Sequence, residues 1–224
     1  MDYRDLADSS LLPSHPRMTA DDIIFIHVPK NAGTSIKRSL KLKMRRVGGP
    51  HYHTFDPYVE KRLEANPDAM ILGVCRNPYA RFWSTWKFFR HAETRSVKRL
   101  RGNDIIMYEL LKGLDCSPLK FLTAINHEAL WEGSPHWRPQ SWYLRDRPEL
   151  QIIRHISPGS LCAQLRKLIM ARGGWHGGEI PTIQKLNRSE DRSDWKYHLG
   201  EEEMFMINRI YAEDFERFSY SKYE

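Results

Sequence analysis

The segment DDIIFIHVPKNAGTSIKRSL, residues 21–40, sets the architecture of this chain. Its apolar run predicts a buried strand from Ile23 to Val28, and a helix from Gly33 to Lys43 is predicted at the end of the turn PKNAGTS. A strand that leads through a glycine-containing turn into a helix points several backbone N–H groups at one place, where the helix dipole adds positive potential. The turn also supplies one cation, Lys30, and two hydroxyls, Thr34 and Ser35. We therefore predict a phosphate or sulfate site in this turn.

The order of residues in the turn differs from that of the nucleoside-triphosphate loop. That loop reads GxxxxGK[ST], with its lysine after both glycines, whereas Lys30 comes before Gly33. A second buried strand, predicted from Met70 to Val74, leads into Cys75-Arg76-Asn77-Pro78 and thus places a cation where a kinase carries its acidic magnesium ligand. A small kinase with an atypical phosphate loop is therefore the weaker alternative.

A helix predicted from Pro78 to His91 follows the second strand. Its aromatic residues recur at a helical period and predict a core-facing stripe, formed by Tyr79, Phe82, Trp83, Trp86 and Phe89. Asn77, Arg81 and Ser84 fall on a different face of this helix, so we expect its polar side to face a ligand beside Arg76. Because ligands of α/β sheets collect at the carboxyl ends of the strands, we predict that Arg76 and Ser84 bind a second phosphate beside the first site.

Four blocks of the sequence resemble one enzyme family. FIHVPKNAGTS resembles the 5′-phosphosulfate loop, and RNPYARFWS the 3′-phosphate segment, of the membrane-type carbohydrate sulfotransferases, including the heparan 2-O-sulfotransferase branch. HWRPQSWYL is similar to a middle segment of that family, and IPTIQKLNRS with YAEDFERFSY to its closing pattern. The blocks keep their order from Ile23 to Tyr220, and the two phosphate motifs together are far more specific than either alone. Asn31 departs from the family, which more often has Thr or Cys there.

This resemblance implies transfer of a sulfuryl group from 3′-phosphoadenosine 5′-phosphosulfate (PAPS) to a hydroxyl, with carbohydrate as the expected acceptor and 3′-phosphoadenosine 5′-phosphate (PAP) as the product. Lys30 would neutralise the charge that grows on the bridging oxygen as its bond to sulfur breaks. Arg76 and Ser84 would hold the 3′-phosphate. No metal is expected, because protein cations take its place. The residues expected to bind the donor are Lys30, Asn31, Ala32, Gly33, Thr34, Ser35, Arg76 and Ser84.

A hydroxyl acceptor needs a base near neutral pH, and histidine is the residue suited to that task. His51 and His53, in GGPHYHTFDPY, resemble the His-x-His of the 2-O-sulfotransferase branch. We predict His53 as the base, with His51 as its neighbour or substitute; two surface-loop histidines are the alternative. His136 is the rival base, and it is expected to line the acceptor site with Trp137 and Arg138. A purely structural loop held by tryptophans is the alternative for that segment.

Composition is compatible with these predictions without choosing among them. The 224 residues, 41% of them hydrophobic, predict one globular domain, with a flexible leader at residues 1–20 and a single catalytic domain at residues 21–224. The net charge of +7 indicates an anionic partner, either the donor, an acidic glycan or nucleic acid. Nucleic acid is not the expected partner, since no recognisable binding motif occurs, but a catalytically idle binder of anionic glycans or nucleic acid stays an alternative. The oligomeric state is not predicted.

The order of predicted elements is that of an α/β protein. Strands and helices alternate, so we expect a P-loop NTPase-like, three-layer α/β/α fold with a central parallel sheet and a helical middle segment. The helical middle segment is predicted from Asp104 to Leu111 and from Pro118 to Leu130. The last strand is predicted in LQIIRHI and is followed by a helix from Leu161 to Ala171. A single amphipathic helix is predicted at the end of the chain, with an apolar face formed by Met204, Ile207, Tyr211, Phe215 and Phe218. The polar leader has no apolar run long enough for a membrane span. The Golgi enzymes of this family carry a membrane anchor. Since this chain opens with Met and sulfuryl donors are made in the cytosol, we expect a cytoplasmic enzyme. A location in the Golgi lumen is expected only if the chain is a piece that has lost its anchor.

Overall fold

A computed structural model of the chain describes residues 17–42, 56–90, 100, 103–115, 117–125, 134–145, 150–155, 157–176, 179–180, 182–183 and 194–223. Its strands form one parallel sheet in the order β1 (Ile23–Ile26), β2 (Met70–Arg76) and β3 (Leu150–His155). β2 lies in the centre and is buried nearly throughout, as its continuous apolar sequence predicts. Since the strands are parallel, their carboxyl ends meet at one edge, where Arg76 pairs with His155.

The helices lie close to their predicted positions. Within the described residues they are α1 (Gly33–Ser39), α2 (Asp56–Ala65), α3 (Pro78–Arg90), α4 (Asp104–Gly113), α5 (Pro118–Ala124), α6 (Gln140–Tyr143), α7 (Pro158–Met170), α8 (Glu201–Ile210) and α9 (Ala212–Arg217). α1 ends before the predicted Lys43, because Lys41 has a φ of 52°, which no α-helical residue can take. The expected single C-terminal helix is two helices, since Tyr211 leaves the helical conformation between them. The short helix α6 was not predicted.

Two apolar clusters cover the two faces of the sheet and confirm the three-layer α/β/α fold. On one face, residues of α1 and α7 pack against the strands, with Ile36, Leu40, Leu161 and Ile169 among the buried side chains. On the other face the covering residues come from α2, α6 and the segment after α9, and they include Val59, Tyr143, Leu144 and Phe218. Ser157 caps α7, since its hydroxyl accepts a hydrogen bond from the backbone N–H of Ser160 at 3.1 Å.

A third cluster forms the predicted helical middle segment. It joins α3, α4, α5, α8 and α9 around the ring of Trp137, which is fully buried among Phe82, Phe89 and Phe121. Aromatic side chains dominate this cluster, so its packing also fixes the position of α3 next to the sheet edge. Within the described part of the chain, no helix combines the length and the apolar character that crossing a membrane would require.

Candidate functional site

The predicted anion turn lies at the carboxyl end of β1 and has an unusual backbone. Lys30 and Ala32 have φ values of 68° and 61°, so the chain reverses sharply before α1 begins. The first intrahelical bond runs from the N–H of Ile36 to the carbonyl of Ala32 at 3.1 Å, so the N–H groups between them have no acceptor inside the helix. A Cβ on Gly33 would lie 2.1 Å from the His27 ring. Glycine is therefore required there by the packing of strand and helix.

The Arg76 turn contacts the Lys30 turn directly. Arg76 Nη1 donates to the Lys30 carbonyl oxygen at 3.2 Å, and the Lys30 ammonium lies 4.4 Å from the centre of the Phe88 ring on α3. Burial, the Arg76 guanidinium and Lys87 lower the pKa of Lys30 to about 8. Burial likewise lowers the pKa of Arg76 to about 10, partly offset by Tyr220 and by Asp194. Neither cation forms an ion pair with a carboxylate of the described residues, so both charges are available to an anion.

One buried amide joins the two turns. Gln140 Oε1 accepts from Asn31 Nδ2 at 2.6 Å and from the Arg76 N–H at 2.8 Å, while Gln140 Nε2 donates to the Arg76 carbonyl at 2.8 Å. Asn31 Nδ2 also donates to the Val74 carbonyl at 2.7 Å. Gln140 therefore binds both backbone groups of Arg76 at the end of β2. Through the Asn31 side chain it also binds the Lys30 turn.

This network corrects the expected role of Asn31. Its backbone N–H donates to Val28 at 3.4 Å and its side chain is buried against β2 and Gln140, so neither group faces a ligand. The residue therefore fixes the shape of the turn. Asparagine suits this position because its amide supplies two donors for two carbonyl-type acceptors.

Asp214, in the first turn of α9, completes the network. Its fully buried carboxylate accepts from the backbone N–H groups of Gln140 and Ser141 at 2.9 Å and 2.8 Å and from Gln140 Nε2 at 3.2 Å. Burial raises the pKa of Asp214, and the Arg81 guanidinium and these donors oppose that shift. The carboxylate thus caps α6 and orients the amide that holds Arg76.

Arg81 was expected to face a ligand, and the structure corrects that expectation. Its guanidinium is buried and donates to the carbonyls of Pro29 and His136, at 3.3 Å and 3.1 Å. The same face of α3 carries Ser84, which lies one helical turn from both Arg81 and Phe88. Ser84 is half-buried, and its hydroxyl makes no hydrogen bond within the described residues. Thr34 is likewise half-buried at the start of α1, while Ser35 is buried.

The HWRPQSWYL block divides into three environments. His136 is 23% exposed, and its Nδ1 lies 2.6 Å from a carboxylate oxygen of Asp104. The Trp137 ring is fully buried in the aromatic cluster, so its expected stacking on an acceptor is corrected: it is a core residue. The Arg138 guanidinium lies 3.8 Å from the centre of the half-exposed Trp142 ring, at the surface of the block.

The other predicted base residues cannot be compared with this arrangement. His51 and His53 both lie outside the described residues. Among the residues that the structure describes, no group of three or more histidine, cysteine and acidic side chains is arranged to hold a metal ion.

Four residues of this region were not anticipated as functional: Phe88, Asp104, Gln140 and Asp214. Phe88 could have been identified from its position four residues after Ser84, on the same helical face. Asp104 could not, because its only distinguishing feature was its place at the start of a predicted helix. Gln140 and Asp214 lay in the blocks that carry the family resemblance, but their partners are far away in sequence. No local pattern could have joined them.

A comparison with protein families agrees with this geometry. The model of a family described as "Sulfotransferase family" matches residues 18–221, nearly the whole chain. Comparisons with curated proteins and with solved structures found no match.

Proposed function

Since the chain belongs to the sulfotransferase family, we propose that it moves a sulfuryl group from PAPS to a hydroxyl acceptor, with carbohydrate as the acceptor class. The observation that carries this proposal is the direct contact between the two turns, in which Arg76 Nη1 donates to the Lys30 carbonyl at 3.2 Å. Two cations from different strands, neither paired with a carboxylate of the described residues, thereby lie at one sheet edge. A twice-phosphorylated nucleotide is the ligand that satisfies both.

The proposed donor lies with its 5′ end on the Lys30 turn. The N–H groups from Ala32 to Ser35 and the Thr34 hydroxyl hold the 5′-phosphate, and Lys30 contacts the oxygen that bridges phosphorus and sulfur. The acceptor oxygen attacks sulfur, the bond from sulfur to the bridging oxygen breaks, and PAP leaves with the electron pair. Lys30 stabilises the charge on that oxygen in a site from which water is largely excluded.

The 3′-phosphate is assigned to Arg76 and Ser84. Five N–H donors belong to the Arg76 guanidinium, and one of its nitrogens is engaged with Lys30, so donors remain for a phosphate. Ser84 adds a hydroxyl from the facing side of α3. His53 and His51 stay predictions for the acceptor side, and Arg138 on the Trp142 ring is proposed to meet an anionic or hydroxyl-rich acceptor.

Calorimetry with PAP tests the donor assignment. We expect metal-free binding of PAP to the wild type, and weaker binding of adenosine 5′-phosphate, which lacks the 3′-phosphate. Arg76→Ala should weaken PAP binding by roughly tenfold to a hundredfold, as expected for about 1.5–3 kcal/mol from charged hydrogen bonds, and should leave adenosine 5′-phosphate binding nearly unchanged.

The matched control for this variant is Arg172→Ala. It removes the same charge and a similar bond to a carbonyl, that of Asp68 at 2.9 Å, outside the site. Equal losses of PAP affinity in both variants would mean that only net charge matters. Preference of the wild type for magnesium-ATP over PAP would replace the sulfotransferase with the kinase.

A further inference from the structure

We propose that Asp104 and His136, in place of the predicted His53, form the pair that takes the proton from the acceptor hydroxyl, an inference that rests on the proposed function and assigns its base. The two residues lie 32 positions apart and meet where α4 packs against the loop before α6. His136 Nδ1 is 2.6 Å from Asp104 Oδ2. The arrangement is that of a general base held by a buried carboxylate.

The carboxylate of Asp104 is fixed on its other oxygen as well. Oδ1 accepts from the Ser134 hydroxyl and from the His136 backbone N–H, the latter at 3.3 Å. The side chain is buried, and among the described residues its hydrogen-bond partners are Ser134 and His136. Because the carboxylate accepts from Nδ1, that nitrogen carries the proton and Nε2 has the free lone pair. Nε2 makes no hydrogen bond within the described residues.

The imidazole is also held in its plane. It stacks on Phe88 with the ring centres 5.1 Å apart and an interplanar angle of 16°, and it meets the edge of Phe89 at 5.6 Å. The backbone carbonyl of His136 accepts a hydrogen bond from Arg81 Nη2 at 3.1 Å. Only 23% of the side chain is exposed, and since the Nδ1 edge faces the buried carboxylate, the opposite edge with Nε2 is the one open to a ligand.

Phe88 places this ring beside the proposed donor site. The Lys30 ammonium lies 4.4 Å from the centre of the same Phe88 ring, so its distance from the imidazole centre cannot exceed the sum of that length and 5.1 Å. Lys30 and the imidazole therefore contact the same aromatic ring of α3, beside the proposed donor site.

The charges around His136 favour this role. Asp104 from α4 stabilises the imidazolium that forms when Nε2 receives the acceptor proton. The nearby cations are Arg81 from α3 and Lys30 from the first turn, with Lys87 close to Lys30. In the proposed step the proton moves from the acceptor oxygen to Nε2, and the electron pair of the O–H bond forms the new bond to sulfur.

Three variants test the pair against a purely structural role. His136→Ala and Asp104→Asn remove its two halves, and the control is His198→Ala, since His198 also stacks on an aromatic ring of α3, that of Trp83, at 4.6 Å. Each is measured for thermal unfolding, for PAP affinity by calorimetry, and for transfer of ³⁵S from labelled PAPS to desulfated heparin, chondroitin and tyrosyl peptides. Added imidazole supplies the missing base to His136→Ala.

We expect His136→Ala to lower kcat by at least about a hundredfold, to keep PAP affinity within about threefold, and to regain turnover with imidazole. Asp104→Asn should lower kcat and keep PAP affinity within about threefold, because the imidazole loses the carboxylate that orients it. His198→Ala should keep wild-type turnover. Nitrogen-15 shifts of His136 should show the proton on Nδ1.

Four results would overturn the pair: turnover of His136→Ala near that of the wild type, no gain from imidazole, wild-type kcat in Asp104→Asn, or abolition of transfer by His53→Ala while His136→Ala stays active. A wild type that binds no PAP would instead overturn the proposed function, and the base assignment with it. Loss of PAP binding and of thermal stability in parallel with kcat would identify a structural pair.

Discussion

Replacing Gln140 should break the hydrogen-bond link between the Lys30 turn and the Arg76 turn. The buried amide makes four hydrogen bonds, to Asn31, to both backbone groups of Arg76 and to Asp214, at 2.6 Å to 3.2 Å. Gln140→Met keeps the volume of the side chain and removes every one of these bonds, so it separates their effect from that of a cavity. Gln140→Ala removes the bonds and leaves a cavity as well.

The expected magnitude follows from the groups left without partners. The Arg76 N–H loses its acceptor and the Arg76 carbonyl its donor, Asn31 Nδ2 loses one acceptor, and the buried Asp214 carboxylate loses one donor. At about 1 kcal/mol for each of these four hydrogen bonds, we expect Gln140→Met to lower the free energy of unfolding by about 4 kcal/mol. If half of that free energy is lost from the binding of PAP because Arg76 is displaced, PAP affinity falls about thirtyfold.

Gln164 is the matched control for this variant. Its amide holds the backbone of Arg154 on β3 in the same way, accepting from the N–H at 3.1 Å and donating to the carbonyl at 2.8 Å. Gln164→Met should destabilise the fold to a smaller extent and leave PAP affinity unchanged. Denaturant unfolding and calorimetry measure the two effects separately. Wild-type PAP affinity in Gln140→Met would refute the idea that this amide positions the Arg76 turn.

Two further predictions concern the Lys30 turn. Gly33→Ala should abolish PAP binding, because the added Cβ would lie 2.1 Å from the His27 ring. The double variant with His27→Ala should recover part of that binding. Wild-type PAP binding by Gly33→Ala alone would contradict the steric argument. Because the pKa of Lys30 is lowered to about 8, ligand-free Lys30 loses its proton above that pH, so PAP affinity should fall by up to about tenfold per pH unit from pH 8 to 10 and binding should take up a proton. Calorimetry in buffers of different ionisation enthalpy measures that uptake, and Lys30→Arg, which stays charged, should remove it; a flat pH dependence in the wild type would contradict the role of Lys30 as a cation.

Local patterns in the sequence anticipated much of the fold. The strand β2 and the helix α3 follow from a continuous apolar run and from aromatic residues at a helical period, both of which are properties of neighbouring residues. The turns that carry Lys30 and Arg76 could be predicted as candidate anion sites for the same reason, since each combines a strand end, a cation and a helix start. What could not be recognised was the change of role at Arg81 and Trp137, whose burial depends on elements distant in the chain.

The sequence by itself therefore determined the family, the parallel α/β architecture and the two cationic turns, because these depend on periodicity and on short motifs. Only the tertiary structure decided which polar residues support those turns and which face the open edge. Asn31, Gln140 and Asp214 come from three separate blocks, and Asp104 meets His136 across 32 positions. A hydrogen bond forms wherever packing brings a donor to an acceptor, so a local sequence pattern cannot predict bonds between residues that are far apart in the chain.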